Sequence, residues 1–413
     1  MFVTKTESSL VRISNYRQKN EHHLIGIMSG TSLDGIDAVL MYLCTDSQGG
    51  ITSLSIEGSS YLAYTQEFKD ILLALCTPNT ARIDALVYVH SALAEWYAAS
   101  VEQLLKQTNR TADSIDALCL HGQTVWHAPL PHDYPGPNGR LIHARGTLQI
   151  GSAPLLHERT GIPVIYDFRS RDMAAGGEGA PLATIVDAIL FRHTERGRIV
   201  QNIGGIANAT VIPAGTGKEG VYAFDTGPGN MIIDELVKRF TCGELGYDKD
   251  GQLSAKGHVD REIIELCMED PYFARRPPKS TGREVYGIEF TSRFAERCRL
   301  AGLSEADILA TATGFTAESI VRAYEDFIFP QVSIHDVIVG GGGALNLTLM
   351  RMIRERLPKY ISLKTTADYG IPVNTREAVA FAILGHEALM GHAANMPSVT
   401  GATHEVILGC ITL

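Results

Sequence analysis

The sequence predicts an α/β protein built as two related domains facing each other across a cleft. Three observations predict it. The chain has 413 residues, 45% of them hydrophobic and 20% charged, which is more apolar material than one small domain needs. An apolar strand, a glycine-bearing turn and a second apolar strand occur at 24–43 (LIGIMSGTSLDGIDAVLMYL) and again at 199–212 (IVQNIGGIANATVI). The 40 glycines gather at the ends of apolar runs, where a chain turns tightly or a ligand reaches the backbone.

Taken in order, residues 1–23 are polar and mixed in charge, with no apolar stretch of the signal-peptide kind. They read as a flexible tail in which His22 and His23 are solvated. After the first strand pair, a strand is expected at 53–58 and helices at 66–76 and 84–107. The second helix keeps helical apolar spacing through Leu86, Val89, Leu93 and Trp96. Residues 116–120 read as a buried strand running into HGQTVWHAP. Pro131, Pro135, Gly136, Pro137 and Gly139 then mark a linker, which places the first domain boundary there. The first domain is 24–138 with 376–413 and the second is 139–375. Within the second, a strand at 164–166 precedes DFRSRD, a glycine-rich loop at 176–179 and a helix from about 181. A strand ending at 224–227 opens a helix at 230–240. A strand at 336–339 meets four glycines at 340–343, and a last helix covers 375–391.

Composition excludes several classes. With 36 basic and 46 acidic residues the net charge is −10, which leaves no basic surplus for a nucleic-acid partner. No apolar run approaches the length of a membrane span. Seven cysteines without a CxxC pair argue against a disulfide framework and a structural zinc, and for a cytoplasmic setting. Gly215, Gly217 and Gly220 fit GxGxxG, but residues 221–224 read as a strand where a dinucleotide site needs a helix N-terminus, so the loop reads as a hairpin.

The motifs that remain point to nucleotide and sugar. In the turn Ser29-Gly30-Thr31-Ser32-Leu33-Asp34-Gly35, backbone N–H groups and hydroxyls can converge on phosphate oxygens. Asp34 and Asp37 can position a hydrated magnesium ion beside them. The same residues also suit an ordinary β-turn. Asn202, Gly204, Gly205 and Asn208 repeat the device. Gly341, Gly342, Gly343 and Asn346 follow a buried strand and let a flat ring such as adenine lie on bare backbone. His121, Gln123 and Thr124 suit sugar hydroxyls. Asp167, Arg169, Arg171 and Asp172 pack two carboxylates and two guanidiniums into six residues, either as a salt-bridge cluster or as a base beside anion-holding arginines.

Together GIMSGTSLDGIDAVL, HGQTVWHAP, LQIG, DFRSRDMAAGGEGAPL, NIGGIANAT, FDTGPGN, GGGALN, EAVAFAILG and PSVTGA resemble the anhydro-N-acetylmuramic acid kinases, from residue 26 to about 402. That family belongs to the sugar kinase, Hsp70 and actin superfamily. The resemblance implies two ribonuclease-H-like (actin/hexokinase-type) domains around a nucleotide cleft, with ATP and Mg2+ as cofactors and a homodimer as the assembly. It implies that Gly30–Asp37 is the first phosphate loop, 202–208 the second, and 340–346 the adenosine loop. It implies that Asp172, not Asp167, deprotonates a water that attacks the anomeric carbon of 1,6-anhydro-N-acetylmuramic acid, whose freed O6 takes the γ-phosphoryl group. His121, Gln123, Thr124, Arg169 and Arg171 are then the substrate-side residues; the metal ligands stay open. Two alternatives stand beside this reading, a levoglucosan kinase and a non-catalytic ATP-binding regulator. The tail and the long 131–145 segment depart from the family pattern, as does Ala-Thr-Ile-Val-Asp at 183–187.

Overall fold

The computed structural model describes residues 9–413. The chain divides into two compact α/β units: the first runs to Ile189 and resumes at Thr375, and the second is Leu190–Asn374.

The first unit begins with α1 (Ser9–Tyr16), then β1 (Glu21–Ser29), β2 (Gly35–Thr45), β3 (Ile51–Ala63), α2 (Gln66–Leu75) and α3 (Ile83–Thr108). It continues with β4 (Ala117–Pro135), β5 (Leu141–Ile150), α4 (Ala153–Thr160), β6 (Val164–Tyr166), α5 (Phe168–Ala174) and α6 (Ala183–Phe191), which carries the chain across the division. The second unit holds β7 (Arg198–Ile203), β8 (Ile206–Ile212), β9 (Tyr222–Pro228), α7 (Met231–Phe240), α8 (Arg261–Met268), α9 (Pro271–Ala274), α10 (Arg283–Tyr286), α11 (Ile288–Leu300), α12 (Glu305–Phe327), β10 (Asp336–Gly340), α13 (Leu347–Arg356) and β11 (Ser362–Thr365). The chain returns to the first unit through α14 (Arg376–Met390), α15 (Pro397–Thr400) and β12 (Cys410–Thr412).

Both units are built on one plan. In the first sheet β3, β2 and β1 form an antiparallel meander, and β4 and β6 follow beside β1, parallel to it. In the second, β9, β8 and β7 form the meander and β10 and β11 follow in parallel. Each parallel step needs a crossover, supplied by helices such as α3 before β4 and α13 before β11. β1 and β2 are buried along nearly their whole length, so they read as continuous apolar runs rather than alternating ones. α14 is buried on almost every side, as its lack of a polar face requires. α12 starts on a Ser304–Asp307 capping box and buries a core of small residues, Ala310, Ala312, Gly314 and Ala317 among them.

Three expectations are corrected here. The proline-rich stretch is no linker: residues 127–135 pair with β5 as an exposed hairpin. Pro131 and Pro135 are tolerated there because that part of β4 is an edge, and Asn138 and Gly139 make the turn with φ of 59° and 72°. The division therefore falls after Ile189, not after 138, which places Asp172 in the first unit. The tail is folded from Ser9 on, with Tyr16 and His22 fully buried; its residues 1–8 lie outside the described chain. The GxGxxG run is, as expected, the β8–β9 loop, with a short 3-10 turn at Lys218–Gly220 and no helix N-terminus.

Candidate active site

At the end of β1 the chain turns through Gly30–Asp34, closed by Leu33 N donating to the Gly30 carbonyl at 3.2 Å. Thr31, Ser32 and Asp34 are exposed, and Ser32 Oγ donates to Asp34 Oδ1 at 2.6 Å. Ser29 differs from its neighbours: its hydroxyl lies 2.8 Å from Tyr97 Oη in the core, so it anchors the turn and does not face outward. Gly35 starts β2 against Leu62 and Tyr61 of β3. Asp37 is half-buried, and its carboxyl is pushed up to about 6 by burial, then by Asp34 and Glu377. This corner of the site is short of positive charge.

β4 runs parallel to β1 and passes this turn at Gln123, which pairs with Ser29 before the strand continues into its hairpin with β5. Gln123, fully buried, donates through Nε2 to the Gly30 carbonyl at 3.1 Å, while its Oε1 has no partner among the described residues. Thr124 Oγ1 accepts from Gln149 Nε2 of β5 at 3.3 Å. His121 packs 4.5 Å from the Phe381 ring of α14, and its Nε2 accepts from Arg169 Nε at 3.1 Å. Burial and then the Arg169 charge push the His121 imidazole down to about 3, against the pull of the Gly122 and Ser29 carbonyls. It is therefore neutral, with its proton on Nδ1. Arg169 also donates to the Gly179 carbonyl at 2.8 Å, and burial lowers its pKa while Glu377 opposes this. Arg171, on another side of α5, is exposed and does not join this group.

Asp172 is 0% exposed, and α5 buries it together with Phe168. Its Oδ1 accepts from Asn395 Nδ2 at 2.9 Å and from Thr400 Oγ at 2.7 Å; its Oδ2 accepts from Gly179 N at 2.8 Å. A carboxylate offers about four acceptor sites, so one is left for a water. The loop 176–179 wraps the carboxylate so closely that a Cβ on Gly177 would overlap Oδ2. Asp167 stands apart, with φ of 54° and Ser170 Oγ donating to its Oδ1 at 2.5 Å.

In the second unit three glycine-bearing loops meet. Asn230 N donates to the Gly204 carbonyl at 2.8 Å and Gly229 N to that of Gly205 at 2.9 Å, tying the β7–β8 turn to the loop after β9. Gly341, with φ of 78°, lies against Asn202 Oδ1 and the Ile203 carbonyl, where a Cβ would come within 2.7 Å of both. Asn208 sits opposite Asn202 in the β7–β8 ladder. Asn346 caps α13, its Oδ1 accepting from Leu349 N at 2.9 Å, and Gly342 is exposed beside the buried Gly343. The loops lie at the carboxyl ends of the parallel strands β7 and β10, a usual ligand position in open α/β sheets. Asp225 of β9 is mostly buried; burial and then Glu284 push its carboxyl up to about 6, while Thr281 N donates to it at 2.9 Å and pulls it down.

Residues 22–413 match the family model for anhydro-N-acetylmuramic acid kinase. The chain belongs to the anhydro-N-acetylmuramic acid kinase family. A relative of that name from Caldanaerobacter subterraneus subsp. tengcongensis is 41% identical over 404 residues, spanning 98% of this chain and 99% of its own length. Another, from Salinibacter ruber, is 38% identical over 396 residues, spanning 96% and 97%. Among solved structures, component A of (R)-2-hydroxyglutaryl-CoA dehydratase from Acidaminococcus fermentans is similar over 89% of this chain and 99% of its own, at 12% identity and a TM-score of 0.45.

Around the candidate site stand further residues that the sequence reading did not name one by one, although Thr400 lies in PSVTGA and Glu377 and Phe381 in EAVAFAILG. Asn395 and Thr400 hold Asp172 from more than 220 positions away, so no local spacing reveals them. Phe381 of α14 packs on His121, and the charge of Glu377 raises the pKa of both Asp37 and Arg169. The segment around Lys279, Thr281 and Glu284 closes over Asp225, with the Lys279 ammonium 4.7 Å from the Tyr272 ring and 4.6 Å from that of Phe327.

Proposed function

We propose that this chain is an ATP-dependent kinase that hydrolytically opens the 1,6-anhydro bridge of 1,6-anhydro-N-acetylmuramic acid and phosphorylates O6, giving N-acetylmuramic acid 6-phosphate and ADP. The product returns a cell-wall sugar to use. The observation that carries the reading is the Asp172 carboxylate, enclosed by Gly179, Asn395 and Thr400 with one acceptor site left, in a chain whose family is named for this sugar.

Asp172 takes a proton from the water in that remaining site as the water oxygen bonds to C1. The C1–O6 bond breaks, O6 takes the γ-phosphoryl group, and ADP leaves; the water's proton passes from Asp172 to solvent. The donors around Asp172 fix its orientation, so that the reaction needs little reorganisation of the base. Because Asp172 is fully covered, the 176–179 loop must yield for water and sugar to arrive. His121, Gln123 and Thr124 face the sugar hydroxyls. Gln123 Oε1 is an acceptor awaiting a donor, as an unpartnered buried oxygen should be at a binding site. Arg169, a largely desolvated cation beside this wall, suits the lactyl carboxylate; the exposed Arg171 does not.

The Gly30–Asp37 turn takes ATP phosphates. In the second unit, Asn202, Gly204, Gly205 and Asn208 supply the second phosphate loop and Gly341–Gly343 the adenosine face. Asp34 and Asp37 fit a magnesium ion, because Asp37 is held protonation-prone by burial and by two like charges that a divalent cation would offset. When bound, the ion supplies neutralisation of charge on the transferring phosphoryl group. We also propose that each unit is a ribonuclease-H-like domain, which the shared order of three antiparallel and two parallel strands supports.

The test is product formation. The wild-type chain with magnesium-ATP and the muramic sugar is expected to release ADP and a sugar 6-phosphate, while Asp172→Asn loses kcat by about 10²–10⁴-fold with ATP affinity little changed. Asparagine sets an NH2 against one of the present donors, so the variant's melting point is measured alongside. Full turnover by Asp172→Asn would contradict the assignment of the base.

A further inference from the structure

The family match begins at residue 22, yet residues 9–21 ahead of it are folded onto the first unit. Tyr16, at the end of α1, is fully buried, and its ring lies 4.1 Å from that of His22. Its hydroxyl is 2.8 Å from His386 Nδ1 of α14, and His386 Nε2 is 2.9 Å from the Gly49 carbonyl. A carbonyl only accepts, so His386 carries its proton on Nε2 and Tyr16 donates to Nδ1. Arg17 Nε donates to the Leu389 carbonyl at 2.7 Å. That carbonyl lies in the last turn of α14, where no following helical N–H can reach it and a cation is favoured. Arg12 Nη1 donates to the Ile115 carbonyl at 3.0 Å, and Lys19 pairs with Asp116, both just ahead of β4.

We infer that residues 9–19 are a clamp that sets the axial position of α14, and that through this helix they position the proposed active site without touching substrate. The inference rests on the proposed function, because the opposite end of α14 carries Glu377 and Phe381. The helix lies directly on the sheet: a Cβ on Gly26 would collide with the Ala378 carbonyl, and one on Gly385 with Cys119. Such close packing fixes how far the helix stands from β1 and β4. Along the axis, the buried Arg376–Asp187 ion pair holds the first turn of α14. Tyr16 and Arg17 are polar, directional anchors at two successive levels of the last turns, and they hold the other end against a slide along the axis. A slip by one residue moves the helix about 1.5 Å, enough to carry Phe381 off the His121 ring and Glu377 away from Asp37 and Arg169.

The test compares the full chain with Tyr16→Phe/Arg17→Ala and with Arg17→Lys, which keeps a donor for Leu389. Two readouts are taken: amide hydrogen exchange along α14, and KM and kcat for the muramic sugar. The double variant is expected to speed exchange at amides 380–385 about tenfold and to raise KM about five- to tenfold, the scale of losing hydrogen bonds of this kind, while Arg17→Lys stays near wild type. Should the double variant fail to fold, Tyr16→Phe alone, which keeps the buried ring, is read the same way. Faster exchange confined to 386–391 with KM unchanged would overturn the clamp and leave the segment merely structural. If the wild-type chain turned over no muramic sugar, the proposed function would fall, and the exchange data would still decide the clamp.

Discussion

Asp37 shows how one residue joins stability to ligand binding. Burial, Asp34 and Glu377 raise its carboxyl from 3.8 to about 6. A carboxyl raised on folding contributes stability that is fully present below about pH 3.8 and is lost as pH rises through about 6. At neutral pH the ionised group therefore works against the fold in the absence of a cation. Asp37→Asn is expected to raise the melting point of the ligand-free chain at pH 7–8, a gain that fades towards pH 4, and to weaken magnesium-dependent ATP binding. Thermal unfolding across that pH range checks the first part and nucleotide titration with and without magnesium the second. A lower melting point at pH 8 would mean that the charge is already compensated within the protein. Asp34 and Asp37 stand out locally as short polar residues beside glycine at a strand end, whereas only the family resemblance separates Asp172 from Asp167. Asn395 and Thr400 do not stand out, because what makes them part of the site is a fold that brings the chain terminus back to α5.

Among the elements, the 176–179 loop is the most constrained part of the proposed site. Gly177→Ala places a methyl group on Asp172 Oδ2, so either the carboxylate or the loop must move. The expected outcome is a loss of kcat/KM of at least about tenfold at assay temperature, with a lowered melting point. Wild-type kinetics for this variant would show that Asp172 does not work from the enclosed position. Helix periodicity made α3 legible to within a residue at each end: 84–107 was expected and Ile83–Thr108 is found. α1 was not legible. It has eight residues, too few to be stable alone, and owes its existence to Tyr16 and Arg17 docking on α14. The β4–β5 hairpin was hidden for the opposite reason, since prolines that end a central strand are harmless on an exposed edge.

Across the molecule, the two sheets repeat one strand order, and the sequence shows this as two strand–glycine-turn–strand runs that end at Leu43 and Ile212. The division between units left no such mark. It falls within α6, an apolar helix along which composition does not change. Among the described residues no helix is long and apolar enough to cross a membrane. The central claim concerns chemistry that a fold alone does not specify, namely water addition at an anhydro bridge coupled to phosphoryl transfer onto the oxygen released. Its most direct test is sugar-dependent ADP release from magnesium-ATP, compared as kcat/KM for 1,6-anhydro-N-acetylmuramic acid and for levoglucosan, which lacks the lactyl carboxylate proposed to meet Arg169. The account predicts a strong preference for the muramic sugar, and a preference for levoglucosan, or silence with both, would contradict it.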